Sequence, residues 1–335
     1  MKNNITMKDI ANTLGVSSVT VSKALSDKEG VSDSLKLKIK KVADELGYRY
    51  NSAAKSIKEG LSYNVGVMIP QRFTGINDSF YMRVYQQISL HLDRFGYFGI
   101  LNILSNEDEE QLNFPRIYNE SKVDGIVILG QVSKPYIETV QKMKLPKLFL
   151  DFYDEHAEID SIVTDNFYGA YELTNYLLRM GHREIAYVGN IYSTSSIQDR
   201  FLGYYKSLLE HGLALEDRLI LNDRDERGVF INIELPDKMP TAFVCNCDQV
   251  AYNLYERLTA DGYHVPDDCS VVGFDNDVYA TLLNPQLTTV EVDVSLMAET
   301  TVKFIMEKIA GSSRQNGRVL IPGNIIYRDS VKKLG

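Results

Sequence analysis

No apolar run in the 335 residues approaches the length that spans a bilayer, so a transmembrane helix is excluded. The N-terminus carries Lys2 and then turns polar, without an apolar secretion segment, and the expected compartment is the cytoplasm. Cysteine is scarce: Cys245, Cys247 and Cys269 are the whole supply. Their C-x-C spacing, without a histidine-rich neighbourhood, argues against a zinc site or a disulfide framework and for small thiols buried in strands. The five histidines are scattered, and G-x-S-x-G, G-x-x-x-x-G-K and H-E-x-x-H are all missing. No catalytic set, metal site or cofactor is predicted, and the chain is not expected to be an enzyme.

A length of 335 residues exceeds one ordinary core, so two or three domains are expected, and 44% hydrophobic with 24% charged residues fits a globular protein. The net charge of −9 is unevenly spread. Residues 1–60 hold 11 Lys+Arg against 7 Asp+Glu, a net of +4, which leaves −13 for the rest. A basic head on an acidic body suits a protein whose head alone meets phosphates.

Met7 to Leu25 reads M-K-D-I-A-N-T-L-G-V-S-S-V-T-V-S-K-A-L. Ile10, Ala11 and Leu14 fall at helical spacing, Gly15 breaks the run, and Val16-Ser17 restarts it with a good N-cap. The pattern predicts two short helices joined by a tight turn. Val21 and Leu25, four apart, mark the inward face of the second helix and turn Val19 outward. The remaining face carries Ser17, Ser18, Val19, Thr20, Ser22 and Lys23. Short hydroxyls, one apolar group and one cation suit a helix in a DNA major groove. The same residues also fit a helical hairpin with a solvated polar face. Ser32 predicts the start of a third helix, with Leu35, Ile39, Val42 and Leu46 as its buried stripe and Gly47 as its stop.

The motif D-I-A-x-x-L-G-V-S-x-x-T-V-S-K-x-L resembles the start of the LacI/GalR family of bacterial transcription regulators, and the likeness continues through almost the whole chain. It implies double-stranded, pseudo-palindromic operator DNA as a partner. Base contacts would come from Ser18, Val19 and Lys23 and phosphate contacts from Ser17, Thr20 and Ser22, with Thr6 joining the DNA-binding set. Tyr48 to Gly60 is too short and too rich in small residues to be a stable helix alone. The resemblance makes it a hinge helix that orders on DNA beside its mate from a second subunit. Asn51, Ala54, Lys55 and Ile57 would touch DNA there, Ile57 as an apolar wedge in the minor groove. The family's Y-x-P-N-x-x-A-R-x-L is kept at Tyr48, Asn51 and Ala54, while Tyr50, Lys55 and Ile57 depart from it. No leucine heptads follow the last predicted strand, so a homodimer is expected.

From Asn64 short apolar runs alternate with amphipathic stretches. Strands are predicted at Val65–Ile69, Phe98–Leu104, Gly125–Leu129, Lys147–Leu150, Glu184–Val188, Thr241–Cys245 and Ser270–Phe274, with helices such as Tyr81–Phe95, Tyr168–Met180 and Gln249–Asp261 between them. This alternation predicts an α/β body of doubly wound parallel sheets, with strands enough for two lobes and a cleft at their carboxyl ends. Ser161 to Asn166 reads as a break between the lobes. The tail reads as L-T-T-V-E, a helix Ser295–Ile309 and a strand Val319–Tyr327. The expected division is a helix-turn-helix head at 1–49, a hinge at 50–62 and a two-lobed body similar to periplasmic binding proteins at 63–335. Its N-lobe takes about 63–163 and part of 292–335, its C-lobe about 164–291.

Asp275 closes the strand in V-V-G-F-D, where a carboxylate either caps the next helix or binds a ligand. The resemblance of G-F-D to the family's effector motif favours the ligand. Arg200, in S-S-I-Q-D-R-F-L-G-Y, looks like the family arginine that reaches into the cleft; the alternative is a surface ion pair with Asp199 or a nearby acid. Phe80 and Tyr81 open the first body helix, and one ring should face the cleft. Phe152 takes a similar lip position, Asp165 caps the next helix with a ligand contact, and Asn246 follows a strand. Between Ile220 and Thr241 a charged stretch replaces a helix usual in the family, and Arg72, Phe73 and Asn246 are placed to rebuild that wall. The implied function is a repressor of carbohydrate-utilisation genes, controlled by a sugar or sugar-derived effector. The competing reading is a two-lobed ligand-binding protein without regulatory DNA binding.

Overall fold

The computed structural model describes residues 5–48, 56, 59–75, 79–154 and 158–335. Met1–Leu61 and Ser62–Gly335 form separate compact units. Asn51, Ala54, Lys55 and Ile57 of the expected hinge lie outside the described residues.

The head contains α1 (Met7–Leu14), α2 (Ser18–Leu25) and α3 (Asp33–Glu45). The Asp9 carboxylate accepts from the Thr6 N–H at 2.8 Å and from its hydroxyl at 2.7 Å, fixing the start of α1. Gly15 ends that helix in the left-handed region at φ +65°, where glycine lacks the Cβ that would clash. The Ser17 hydroxyl accepts from the Thr20 N–H at 3.0 Å and opens α2. Ile10, Ala11, Val21, Ala24, Ile39 and Ala43 close a small core, with Leu25 half-buried against it. Val19 is 66% exposed. The stripe expected on α3 ends differently: Leu46 falls past the last turn and is exposed, and Ala43 takes the inner position.

In the body, β1 (Asn64–Pro70), β2 (Phe98–Leu104), β3 (Gly125–Leu129), β4 (Lys147–Leu150), β5 (Ser161–Thr164) and β11 (Arg318–Ile321) form a parallel sheet in the order β11-β5-β4-β3-β1-β2. The second sheet holds β6 (Ile185–Val188), β7 (Ile220–Leu221), β8 (Ala242–Cys245), β9 (Ser270–Asp275), β10 (Thr288–Val292) and β12 (Gly323–Ile326), in the order β12-β10-β9-β8-β6-β7. Here β12 alone runs antiparallel to its neighbour. Every residue of β3, β6 and β8 is buried, the outcome for parallel strands covered on both faces.

Helices α4 (Ser79–Asp93), α5 (Asn106–Glu110), α6 (Arg116–Asn119), α7 (Lys134–Lys142) and α12 (Val294–Ile309) cover the first sheet. Val84 and Ile88 of α4 and Val302 and Ile305 of α12 pack on one face, Tyr136 and Val140 of α7 on the other. On the second sheet α8 (Asn166–Arg179) and α9 (Ser195–Glu210) bring Leu173, Leu177 and Tyr204 to one face. There α10 (Asp248–Ala260) and α11 (Val278–Leu282) bring Val250, Leu254 and Ala280 to the other.

Three expectations change. Ser161–Thr164, read as a break, is β5; four wholly buried residues are too few to show a period. The predicted strand Val319–Tyr327 is cut by Pro322, which has no N–H for a ladder, and its halves join different sheets. The tail therefore returns to the N-lobe only through α12 and β11. Its last residues pack on the C-lobe, where Ser330 donates to the Val271 carbonyl at 2.6 Å and the Leu334 N–H to Met180 at 2.8 Å.

Candidate functional site

Two regions collect the residues singled out in the sequence. On the head, Thr6, Ser17, Ser18, Val19 and Lys23 are exposed, and Thr20 and Ser22 are half-buried. Ser17 meets its own helix first: besides the Thr20 N–H, its hydroxyl lies 2.9 Å from the Thr20 hydroxyl. What α2 presents outward is one valine between hydroxyls, with a lysine a turn later.

In the body a cavity of about 100 Å³ opens where both sheets end at their carboxyl sides. The N-lobe contributes Arg72 and Phe73 after β1, Phe80 and Tyr81 from α4, and Asp151 after β4. The C-lobe contributes Arg200 from α9, Asn246 and Cys247 after β8, and Asp275 at the end of β9. Arg200 is 6% exposed, and each of its three nitrogens donates one hydrogen bond. Its Nε donates to Asn166 Oδ1 at 2.8 Å, Nη1 to the Asn246 carbonyl and Nη2 to Asp275 Oδ1 at 3.2 Å, while the guanidinium lies 3.8 Å from the Phe274 ring centre. Asp199 is not its partner; it accepts from Tyr153 at 2.9 Å. The surface ion pair is therefore excluded.

Burial dominates the acids. It pushes Asp275 up to about 7, with Arg200 pulling the other way and Asp151 adding to the rise. Asp151 is pushed up to about 6 by burial, against the pull of Arg200 and of the hydrogen bond from Tyr81 at 3.0 Å. Its second oxygen, Oδ1, is buried without a hydrogen-bond partner. The lobes meet around the cavity through Arg83–Asp277 at 3.1 Å, Tyr153–Asp199, and the Ser195 N–H donating to Gln131 Oε1 at 2.8 Å.

Two residues expected at the cleft sit elsewhere. Phe152 is fully buried, its ring centre 4.4 Å from that of Phe149 in the N-lobe core. Asp151 at φ +67° turns the chain at the strand end, so the carboxylate lines the cavity and the next side chain goes under the sheet. Asp165 accepts from the Tyr168 N–H at 3.1 Å as the cap of α8 and does not line the cavity. Asn246 lines it, yet its amide is committed to the Val188 carbonyl and Asp223, each at 2.9 Å. Of the cysteines, Cys245 lies in β8 and Cys269 is buried just before β9, whereas Cys247 caps α10 and touches the cavity with its thiol pushed up to about 12 by burial.

Sequence reasoning missed Asp151, Arg224 and Phe230. Asp151 ends K-L-F-L-D as Asp275 ends V-V-G-F-D, and that parallel was readable. The other two come from the altered stretch: Arg224 pairs with Asp223 at 2.7 Å, bridges Phe230 through the backbone and lies 4.8 Å from its ring centre. Together they form one wall of the cavity. Among the described residues no group of His, Cys, Asp and Glu is arranged to hold a metal ion, and no helix is long and apolar enough to cross a membrane.

Residues 6–51 match the profile described as bacterial regulatory proteins, lacI family, and residues 174–331 match a periplasmic binding protein-like domain. The chain joins a lacI-family head to a periplasmic-binding-protein-like domain. Along its whole length it is similar to curated relatives: 29% identical over 98% of this chain and 99% of the relative to the HTH-type transcriptional repressor PurR of Vibrio campbellii. It is 26% identical, over 97% and 98%, to the HTH-type transcriptional regulator RegA of Clostridium saccharobutylicum. The lac repressor dimer bound to operator superposes with a TM-score of 0.79 at 22% identity, covering 98% of this chain and 100% of that one. A CelR–cellobiose complex superposes with a TM-score of 0.70 at 21% identity, with the same coverage. With its lacI-family helix-turn-helix head and periplasmic-binding-protein-like body, this chain is a DNA-binding transcription regulator. A ligand-binding protein without regulatory DNA binding leaves the lacI head unaccounted for.

Proposed function

We propose that this regulator is a homodimeric repressor of carbohydrate-utilisation genes whose affinity for a pseudo-palindromic operator is set by a sugar or sugar-derived effector in the interlobe cavity. The observation that carries this reading is the Arg200–Asp275 pair facing Tyr81 and Asp151 from the opposite lobe. An arginine fork and two carboxyls suit vicinal hydroxyls, and the adjoining rings of Phe73, Phe80 and Phe230 suit the apolar face of a sugar. Control follows from linkage. A ligand touching both lobes favours one interlobe angle, and that angle sets the spacing of the two hinge segments and of Ile57 with its mate. On this reading Val19, Ser18 and Lys23 meet bases, Thr6, Ser17, Thr20 and Ser22 lie at phosphates, and Asn51, Ala54 and Lys55 accompany Ile57.

The test is binding of the purified chain to DNA upstream of its own gene, over a range of salt, with monosaccharides, disaccharides, sugar acids and nucleobases added in turn. Tight, salt-sensitive binding shifted by a sugar is the expected result. A shift by a nucleobase alone would leave the regulator and remove the sugar. Ile57→Gly should abolish tight operator binding while effector affinity stays the same.

A further inference from the structure

Helix α4 reaches the end of β9 from two sides. Tyr81 faces the cavity, and Asp277 lines it from the opposite lobe. Arg83, two residues after Tyr81, stands behind the cavity and donates from Nη1 to Asp277 Oδ1 at 3.1 Å, an ion pair that crosses between the lobes.

Asp277 is held rigidly. The chain leaves β9 through two consecutive non-glycine residues at positive φ, Asp275 at +109° and Asn276 at +48°, a conformation that lasts only where neighbours hold it. Those neighbours belong to the C-lobe. Asn276 donates to Glu291 Oε1 at 3.0 Å and accepts from Arg328 Nη2 at 2.7 Å, and the Asp277 N–H donates to Oδ2 of the buried Asp248 at 2.8 Å. The side chain of Asp277 is 9% exposed, that of Arg83 39%. One partner is fixed, and the other is a long arm at the rim.

The arm has a second place to go. On its outer side lies a space of about 380 Å³, lined by Arg83, Gln86 and Gln87 from α4 and by Glu291 and Asp293 where the chain crosses between the lobes. Two further carboxylates thus share a space with the same guanidinium.

We propose that Arg83 is a latch for the interlobe angle. Paired with Asp277 it holds the lobes as they stand here; turned outward to Glu291 and Asp293 it lets them part. The latch rests on the reading that the interlobe angle controls operator affinity, and it names the residue that sets the balance between two angles.

Residue-resolved hydrogen exchange on the full chain, without DNA or effector, tests this at Ser195. Its N–H lies in the first turn of α9, where a helix offers no acceptor, and donates across the lobes to Gln131 Oε1 at 2.8 Å. Arg83 bonds to Asn276 and Asp277 rather than to α9, so a merely local role would leave Ser195 unchanged. Arg83→Gln should speed exchange there by about three- to tenfold, with the amides of β3 and β8 within about twofold of wild type, and Arg83→Lys should fall between. Glu291→Gln keeps an acceptor for Asn276 but removes a charge from the outer space, and should slow Ser195 exchange by at least about twofold. Unchanged Ser195 exchange in Arg83→Gln overturns the latch, as does a rise shared by β3 and β8; unchanged or faster exchange in Glu291→Gln overturns the outward position of the arm. If Ser195 exchange rises in Arg83→Gln while its operator affinity stays at wild type, the latch stands and the interlobe angle is removed from operator control.

Discussion

Arg200 and Asp275, 75 positions apart, meet at 3.2 Å in a site where both side chains are shielded from solvent. Each is the other's charge partner, so removing one strands the other. Arg200→Ala should destabilise the body by about 3 to 5 kcal/mol. In protein still folded, it should weaken effector binding at least about a hundredfold, with operator affinity intact. Thermal unfolding and effector titration read the two effects separately; an unchanged titration would remove Arg200 from the site. Arg200→Lys keeps the charge without the fork and should fall between.

Asp151 and Asp275 hold their protons to about 6 and about 7, above the ordinary carboxyl value of 3.8. Between that value and these, the folded body binds more protons than the unfolded chain. The stability these two groups contribute is therefore present at low pH and lost as pH rises through about 7. Asp151→Asn should reduce the fall in Tm between about pH 5 and about pH 8, because an amide has no charge to bury. Parallel Tm profiles for the two proteins would show that the proton on Asp151 is not linked to folding.

Val19 and Val21, two residues apart on α2, have opposite surroundings. Val21 is fully buried and Val19 is 66% exposed. Val19→Ala should leave the Tm of the head unchanged and lower operator affinity by about tenfold, the size of one lost apolar base contact. Val21→Ala should instead destabilise the head by about 2 kcal/mol. Gel-shift titration beside thermal melts separates them, and an operator affinity untouched by Val19→Ala would take α2 out of base recognition.

Gly203 sits where α9 crosses α8. A Cβ built there lies 2.1 Å from the Phe167 carbonyl oxygen and 2.9 Å from the Tyr171 nitrogen, both backbone atoms that cannot rotate away. Gly203→Ala should force the helices apart and cost about 3 kcal/mol in denaturant unfolding of the body. Wild-type stability in the variant would mean that the helix pair adjusts without loss.

By itself the sequence determined the head and the order of the body. The helical spacing of Ile10, Ala11 and Leu14, the break at Gly15 and the cap at Ser17 are local signals, and local signals fix α1 and α2. Continuous apolar runs of buried parallel strands gave β3 and β4 to the residue, and the mostly apolar run Phe98–Leu104 gave β2, an edge strand with only Leu104 buried. What only the tertiary structure decided is where distant segments meet. β5 and β11, four residues each, become strands by filling slots beside one another, and Pro322 sends the chain from one sheet to the other. The same holds at the cleft. A positive φ at Asp151 exchanged the expected Phe152 for a carboxylate, and a charged stretch without regular structure supplied Arg224 and Phe230. Side-chain direction at a strand end and the path of an irregular loop are set by packing against residues far away in the chain, and neither leaves a period to read.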